Sequence, residues 1–173
     1  KDEGIRLADG RMATLSAAQL PGGKFEVMLF TNGPEMEEVD SIQCEYEETA
    51  LAHFERLKKY YHTPELKGRY KKLAEDLKEA KAYGMEHAGD DDGGTCNFDS
   101  ATLYLPRWNK EKVEIAAKTA GLGCSTWNSF SKCCFVFSIP GVGQGFRRTY
   151  AAEAMSKFLE SRGYDSGMYY QMD

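Results

Sequence analysis

The chain has 173 residues, of which 42% are hydrophobic and 12% aromatic, and it carries a formal net charge of -5. This composition excludes an intrinsically disordered chain, and the length allows one mid-sized domain or two small ones. The longest apolar run, residues 133–140, is far shorter than the roughly 20 residues that span a bilayer, and residues 1–4 lack the apolar stretch of a signal peptide. We therefore expect a cytoplasmic protein that does not enter the membrane, with a signal segment removed upstream as the alternative.

The first half of the sequence begins with a predicted antiparallel meander. Apolar and polar residues alternate in residues 24–30 and again in residues 39–46, which is typical of half-buried strands. Glycine, proline and asparagine residues punctuate the sequence between them. Residues 11–15 add a third strand to the predicted sheet.

Two helices are predicted to follow this sheet. Apolar residues recur at helical spacing in residues 47–61. Thr63 and Pro64 are typical of the cap and first residue of a second helix, which is predicted to end at Gly84. We expect the two helices to form a helical hairpin against the small sheet.

A polar, glycine-rich segment, residues 89–94, predicts a linker between two domains. The sequence on either side of it differs in charge. Residues 1–94 hold 13 lysines and arginines against 20 aspartates and glutamates, whereas residues 95–173 hold 9 against 7. We therefore predict an acidic domain over residues 1–88 and a separable, nearly neutral domain over residues 95–173.

The second domain shows an alternation of elements in the order β-α-β-β-α-β. Asn109 is a typical helix cap, and Trp108 and Val113 have the spacing of a hydrophobic staple across the start of that helix. The order of elements predicts a ferredoxin-like domain, so the fold class of the whole chain is α+β. The predicted strands are 102–105, 124–130, 133–139 and 167–172, and the predicted helices are 110–120 and a second one that ends at Arg162.

The cysteines and histidines predict neither a metal site nor a cofactor. No two cysteines have C-x-x-C spacing, and the three histidines have no recognised ligand spacing. All three histidines precede the serines of the second domain, so no catalytic residue is predicted. We expect the five cysteines to be reduced and to pack as small apolar side chains.

Three glycines, Gly141, Gly143 and Gly145, and two arginines, Arg147 and Arg148, lie between a predicted strand and a predicted helix. Backbone amides at a helix N-terminus bind anions, and arginine adds charge-assisted hydrogen bonds. The spacing G-x-G-x-G matches neither the dinucleotide fingerprint nor a P-loop. The segment therefore predicts either an anion-binding site or a plain strand-to-helix turn.

Two resemblances give alternative functions for this second domain. Residues 141–170 resemble the acyl-coenzyme A motif of GNAT acetyltransferases, although Arg147 stands where that family has a small residue; the resemblance implies an acetyltransferase-like enzyme. Residues 103–105 and 132–137 resemble the two short motifs of RNA-recognition motifs, with Phe135 and Phe137 as the stacking residues. That second resemblance implies a nucleic-acid-binding module within residues 95–173.

Four carboxylates in the first half, Glu35, Glu37, Glu38 and Asp40, lie beside a Gly-Pro turn. We expect them to be exposed and mutually repelling, an arrangement that suits a partner protein with a basic surface. A loop that only promotes solubility is the alternative interpretation.

The same part of the chain has a family resemblance. Residues 24–30 follow the pattern K-[FY]-E-x-M-[VL]-F, and an acidic strand and an E-E-x-A helix start at residues 47–50 come after them. This order resembles short accessory proteins carried by phages and conjugative elements of gut bacteria. The resemblance implies a non-catalytic protein that binds a macromolecular partner, such as an inhibitor of a host defence nuclease in the manner of anti-CRISPR proteins.

Overall fold

The computed structural model describes residues 1–91 and 93–172. Within these residues the chain forms four helices and two antiparallel four-stranded sheets, which confirms the predicted α+β class. Two compact units are present, a first unit Lys1–Pro64 and a second unit Glu65–Asp173. No helix in the described part of the chain is both long and apolar enough to cross a membrane.

The first unit is a meander of four strands with one helix packed on it. Strand neighbours in sequence are neighbours in the sheet, in the order β1-β2-β3-β4. The predicted strands over residues 11–15, 24–30 and 39–46 are confirmed as β2, β3 and β4, and the first strand was not predicted. The elements are β1 (Asp2–Arg6), β2 (Met12–Gln19), β3 (Phe25–Thr31), β4 (Glu38–Cys44) and α1 (Glu47–Tyr61).

The core of the first unit lies between one face of this sheet and α1. Leu15 and Leu29 are paired across β2 and β3, and both are fully buried with Phe54 of α1. Because side chains alternate between the two faces of a strand, the residues between these positions point away from α1. One face of the first sheet is therefore not covered by a helix of its unit.

The second unit is a ferredoxin-like βαββαβ fold with one additional helix before it. Its strand order is β6-β7-β5-β8, and every neighbouring pair is antiparallel, as the predicted order of elements requires. Asn109 caps α3 as predicted, since its Oδ1 accepts a hydrogen bond from the Lys112 amide at 3.0 Å. The elements are α2 (Arg69–Glu86), β5 (Ser100–Tyr104), α3 (Lys110–Thr119), β6 (Gly123–Thr126), β7 (Cys134–Ser138), α4 (Phe146–Ser161) and β8 (Ser166–Tyr169).

The position of α2 differs from the predicted domain organisation. The helix packs against α3 and α4 of the second unit, so the predicted helical hairpin on the first sheet is wrong. Leu73, Leu77 and Ala80 of α2 are fully buried in the same cluster as the core of the ferredoxin-like fold. Along the chain, the boundary between the compact units lies between Pro64 and Glu65, whereas the sequence predicts a linker at residues 89–94. Asp92 of that segment lies outside the described residues.

The start of α2 also differs from the prediction. Thr63 does not cap a helix; it is buried, and its amide donates to the carbonyl of Arg6 at 2.7 Å. The helix begins at Arg69 after Gly68, whose φ of 56° is in the left-handed region that favours glycine. Gly84, predicted as the end of the helix, lies inside it and is buried.

Gly84 allows the backbones of α2 and α4 to approach closely. A Cβ atom at this position would lie 2.7 Å from the carbonyl oxygen of Ala151 in α4. In an exposed helix Gly→Ala stabilises by about 1 kcal/mol, but here we expect Gly84→Ala to destabilise by about 1–3 kcal/mol because the two helices must separate. Chemical denaturation measures the change. The control is Gly4→Ala, where a Cβ meets nothing within 4 Å; a stabilised Gly84→Ala protein contradicts the packing.

Candidate functional site

The helix-free face of the second sheet is a concave surface with a floor of small residues. Ala101 and Leu103 of β5 and Phe135 and Phe137 of β7 are buried under the helices. The alternating positions of the same strands therefore point to the opposite face. These floor residues are small and carry hydroxyl, thiol or short apolar groups, namely Ser100, Thr102, Cys134, Val136 and Ser138.

Large aromatic side chains surround this floor. Trp127, in the connection between β6 and β7, contacts Tyr169 of β8 edge-on with ring centroids 4.8 Å apart. Phe98, Tyr104 and Phe130 are exposed around the same face. Small residues in the middle and aromatic residues at the margin leave two hollows of about 710 and 780 Å³, and Trp127 lines both of them.

The first hollow combines one cation with neutral polar groups. Arg148 is the charged residue among the described residues that line it, and Asn128 and Gln171 add amide groups. The Nε atom of Arg148 donates to the Gly143 carbonyl at 2.8 Å, which fixes the position of the guanidinium group. The wall also contains Cys124, whose pKa burial raises to about 12. Its thiol is therefore protonated at neutral pH and is not a nucleophile.

The second hollow has the opposite charge. Asp165 is its charged residue among those described, and Thr102, Tyr104, Phe130 and Cys134 are close by in its lining. Burial is the main reason why the pKa of the Cys134 thiol is raised. The two hollows share Trp127 but differ in sign, so an anionic group is favoured in the first and disfavoured in the second.

The glycine turn does not present a row of free amides. The amide of Phe146, the first residue of α4, donates to the carbonyl of Gly93 at 2.8 Å. The amide of Arg148 donates to the carbonyl of Gly145, which also accepts from Nδ2 of Asn97 at 3.0 Å. The Phe146 amide, which a bound pyrophosphate would need, is already in use.

The five residues predicted to bind an anion are only partly brought together. Arg148 lines the first hollow, and Gly143 holds its side chain. Gly141 and Gly143 have positive φ values of 72° and 103°, which accounts for glycine in the turn. The Nε atom of Arg147 is buried without a hydrogen-bond partner among the described residues, and Arg147 is not among the residues that line the first hollow. The predicted anion site therefore stays a prediction, with Arg148 as its best-placed member.

The four predicted partner-binding carboxylates lie on different surfaces of the first unit. Glu35 and Glu38 are exposed, and Glu37 forms an ion pair with Arg11 at 2.8 Å. Asp40 is half-buried and accepts a hydrogen bond from the hydroxyl of Tyr61 at 2.9 Å. Asp40 thus contacts α1 and stabilises the fold, and the expectation that all four carboxylates are exposed is wrong for this residue.

The helix-free face of the first sheet, called the outer face below, has an apolar strip. Met12, Met28 and Phe30 belong to it because their neighbours along the strands are buried against α1. Met12 is 45% exposed, while Met28 and Phe30 are half-buried. Thr14 and Ser16 fill the positions between them. The outer face is therefore partly apolar and accessible within its unit.

Carboxylates lie along the sides of the outer face. Glu26 accepts a hydrogen bond from Nε2 of the Gln43 side chain at 3.0 Å, and Glu38 accepts one from the Ser41 hydroxyl at 2.7 Å. Asp2 and Arg6 of β1 pair with Ser16 and Met12, respectively, and point the same way, so one cation lies beside the apolar strip. The acidic groups and the apolar strip thus belong to one surface.

Two further predictions concern nucleic acid and metal. Phe135 and Phe137 face the helices and are fully buried, so neither can stack on a base as the resemblance to RNA-recognition motifs implied. No group of three or more histidine, cysteine or acidic residues that could hold a metal ion occurs within residues 1–91 and 93–172. All five cysteines are free thiols in the structure.

Sequence reasoning missed both helix-free faces. In the second sheet, the open face is indicated by the small residues that alternate with Phe135 and Phe137 and by Trp127, which lies beside them. This pattern can be interpreted only once the strand order is known. The order β6-β7-β5-β8 places Ser138 of β7 beside β5, where Ser100 pairs with Tyr169 of β8. Local patterns predict the elements but not the surface that these elements leave open.

The fold therefore defines an α+β protein of a four-stranded meander unit and a ferredoxin-like unit. No protein-family model, curated protein or solved structure matches the chain. Its function has to be argued from the surfaces that its own residues form.

Proposed function

We propose that the chain is a non-catalytic accessory protein that binds a basic protein partner through the outer face of the first sheet. The observation that carries this proposal is an accessible apolar strip in the unit that holds the net charge. The first unit has seven lysines and arginines against twelve aspartates and glutamates, a formal charge of -5. The second unit has 15 of each sign and is neutral.

The composition of the outer face supports a protein partner. Methionine and aromatic residues are enriched in the centre of protein interfaces, and polar groups are enriched at the rim. Met12, Met28 and Phe30 occupy the centre, and methionine adapts its shape to a partner surface because its side chain is unbranched. Glu26 and Glu38 at the rim would steer a basic partner to this face and exclude acidic ones.

The kind of partner follows from its charge. Proteins that act on nucleic acid carry basic surfaces because they must neutralise phosphates. An acidic face with an apolar centre is complementary to such a surface. A host defence nuclease, the partner that the resemblance to phage and conjugative-element accessory proteins implies, has this chemistry, so inhibition of such an enzyme forms part of the proposal.

Charge reversal on the outer face tests the proposal. The variant Glu26→Lys with Glu38→Lys is compared with Glu47→Lys with Glu48→Lys, which changes the charge equally at the exposed start of α1. Proteins captured by the unaltered chain from host lysate at low salt are identified by mass spectrometry, and the dissociation constant of the captured partner is measured. We expect reversal at the outer face to weaken binding at least tenfold, and the control variant to bind nearly as well as the unaltered chain.

Salt provides the second arm of this experiment. Exposed charges are screened beyond about 8 Å at 0.15 M ionic strength, so the difference between the two variants should shrink as salt rises. Thermal unfolding shows that both variants are folded. If the outer-face variant captures the same partner equally well at low and high salt, the outer face is not the binding surface.

A further inference from the structure

The first hollow of the second unit has the size of a small-molecule site. Its floor holds Ser100 and Ser138, and its walls hold the rings of Trp127 and Tyr169. The volume of about 710 Å³ is within the range of small-molecule sites in proteins. The Trp127 ring lies 5.2 Å from the ring of Phe130 in a tilted arrangement, and a planar ligand ring beside it would extend this aromatic cluster.

Two glycines of the neighbouring strands lie close to the hydroxyl groups of the floor. A Cβ atom at Gly123 of β6 would lie 2.3 Å from the Ser138 hydroxyl. A Cβ atom at Gly167 of β8 would lie 3.3 Å from the Thr102 hydroxyl. The strands on both sides of the floor thus use glycine next to a hydroxyl, which keeps the depth of the concave face.

The charge of the hollow selects an anionic group. Arg148 enters its lining from the first turn of α4, and the hydrogen bond from Nε to Gly143 leaves the terminal guanidinium nitrogens as the donors for a ligand. No carboxylate is among the described residues that line the hollow. A guanidinium group in a fixed orientation suits phosphate because its N–H groups match two phosphate oxygens.

Neutral hydrogen-bonding groups complete the lining. Asn128 has both a donor and an acceptor in its side-chain amide, whereas the Oε1 of Gln171 accepts a hydrogen bond from the Tyr169 hydroxyl and its NH2 group is the donor for a ligand. Such amides bind the edge of a heterocycle that carries both kinds of group. Aromatic stacking, amide groups and one arginine together are complementary to a base and a single phosphate.

We propose that the first hollow binds a mononucleotide, with the base against Trp127 and the phosphate on Arg148. This site belongs to the second unit and is independent of the partner surface proposed for the first. A nucleic-acid strand is disfavoured because its affinity depends on the neutralisation of several phosphates, whereas this unit is neutral and the hollow contains one cation. The adjoining hollow with Asp165 would repel a second phosphate.

Tryptophan fluorescence and calorimetry test the proposal on the full chain. The chain has two tryptophans, and Trp108 lies elsewhere, under Arg69 with the guanidinium carbon 4.5 Å from its ring. In a Trp108→Phe background, AMP and UMP are expected to quench Trp127 and to saturate at sub-millimolar to millimolar concentration. Calorimetry with the unaltered chain repeats the titration without the background substitution.

Variants test which residue binds the phosphate of the ligand and which residue binds its base. Arg148→Gln is expected to weaken AMP binding about tenfold or more, the loss of a charge-assisted contact. Lys157→Gln removes the same charge from an exposed position of the same helix and should leave affinity unchanged. Trp127→Leu, measured by calorimetry, should weaken AMP and UMP but not change the response to inorganic phosphate. Thermal unfolding confirms that each variant is folded.

Four results would overturn the proposal. The first is no detectable binding of AMP or UMP at about 5 mM, and the second is equal binding of AMP by Arg148→Gln and the unaltered chain. The third is that inorganic phosphate or ribose 5-phosphate binds as tightly as AMP. The fourth is that an eight-residue oligothymidylate binds more tightly than UMP, with a steep salt dependence. The last result would make a nucleic-acid strand the ligand. Adenosine is the remaining probe, and its binding should be at least tenfold weaker than that of AMP because it lacks the phosphate.

Discussion

Removal of α2 is expected to unfold the second unit. A fragment of residues 95–173, which the sequence predicts to be a separable domain, lacks this helix, whereas a fragment of residues 65–173 retains it. We expect the longer fragment to unfold in one cooperative thermal transition and the shorter one to show no such transition. Circular dichroism during heating distinguishes the two outcomes.

The physical reason is the apolar surface that α2 covers. Leu73 and Leu77 are fully buried against α3 and α4, and burial of one leucine contributes roughly 1.5–3 kcal/mol. Without the helix, Met155 of α4, which lies beside Gly84 of α2, would also become exposed. These losses together reach the total stability of a small domain, about 5–15 kcal/mol.

Point substitutions in the full chain give the same test without truncation. Leu77→Ala should cost about 2–5 kcal/mol in the free energy of unfolding, because it leaves a cavity in a packed core. The neighbouring exposed Lys78→Ala should change stability by about 0.5 kcal/mol or less. A stably folded fragment of residues 95–173 together with a small effect of Leu77→Ala would show that α2 is peripheral.

Local sequence signals identified most elements of this fold because each signal acts within a few residues. The alternation that places Phe135 and Phe137 on one face is visible in β7 alone, and Asn109 caps α3 through an amide three residues away. The start of α2 was misplaced for the converse reason. Thr63 and Pro64 fit the rule for a helix start, but the Thr63 amide is used in a contact with Arg6, 57 residues earlier in the chain.

The domain boundary and the candidate sites depend on contacts between distant residues. The polar composition of residues 89–94 is typical of a linker, yet Gly93 accepts a hydrogen bond from the first amide of α4. Arg148 was identified because it follows a glycine turn, but its place in the hollow beside Trp127 depends on the order of four strands. The environment of Asp40 could not be predicted from local sequence either, since its contact with Tyr61 requires α1 to fold back onto the sheet.

A second large effect on stability is expected when a hydrogen bond to the buried carboxylate of Asp76 in α2 is removed. Asp76 is 4% exposed, and its Oδ2 accepts hydrogen bonds from the Tyr164 hydroxyl at 2.6 Å and from Lys72 at 2.5 Å. Tyr164 follows α4, so this hydrogen bond connects α2 to the ferredoxin-like fold. Lys72 is largely exposed and can bind water instead, whereas the buried carboxylate has few other partners.

Tyr164→Phe is expected to lower the free energy of unfolding by about 2 kcal/mol at pH 7. The substitution removes the hydroxyl and leaves a buried charged acceptor with one partner fewer, and hydrogen bonds to charged groups contribute about 1.5–3 kcal/mol. The control Tyr150→Phe makes the same chemical change at a side chain of α4 that is 47% exposed. It should change stability by about 0.5 kcal/mol or less.

The pH dependence tests whether the folded chain keeps the Tyr164 hydroxyl protonated. Burial, together with the hydrogen bond to Asp76, raises the pKa of Tyr164 above its ordinary value, which is about 10. A raised pKa means that the stability contributed by the neutral hydroxyl is fully present below about pH 10 and is lost as pH rises further, because the unfolded tyrosine ionises first. The difference in unfolding free energy between the unaltered chain and Tyr164→Phe should therefore be constant from pH 6 to about pH 9 and narrow above pH 10. Urea denaturation at these pH values measures it, and a difference that is independent of pH up to about pH 11 would show that the folded chain does not raise the pKa of Tyr164.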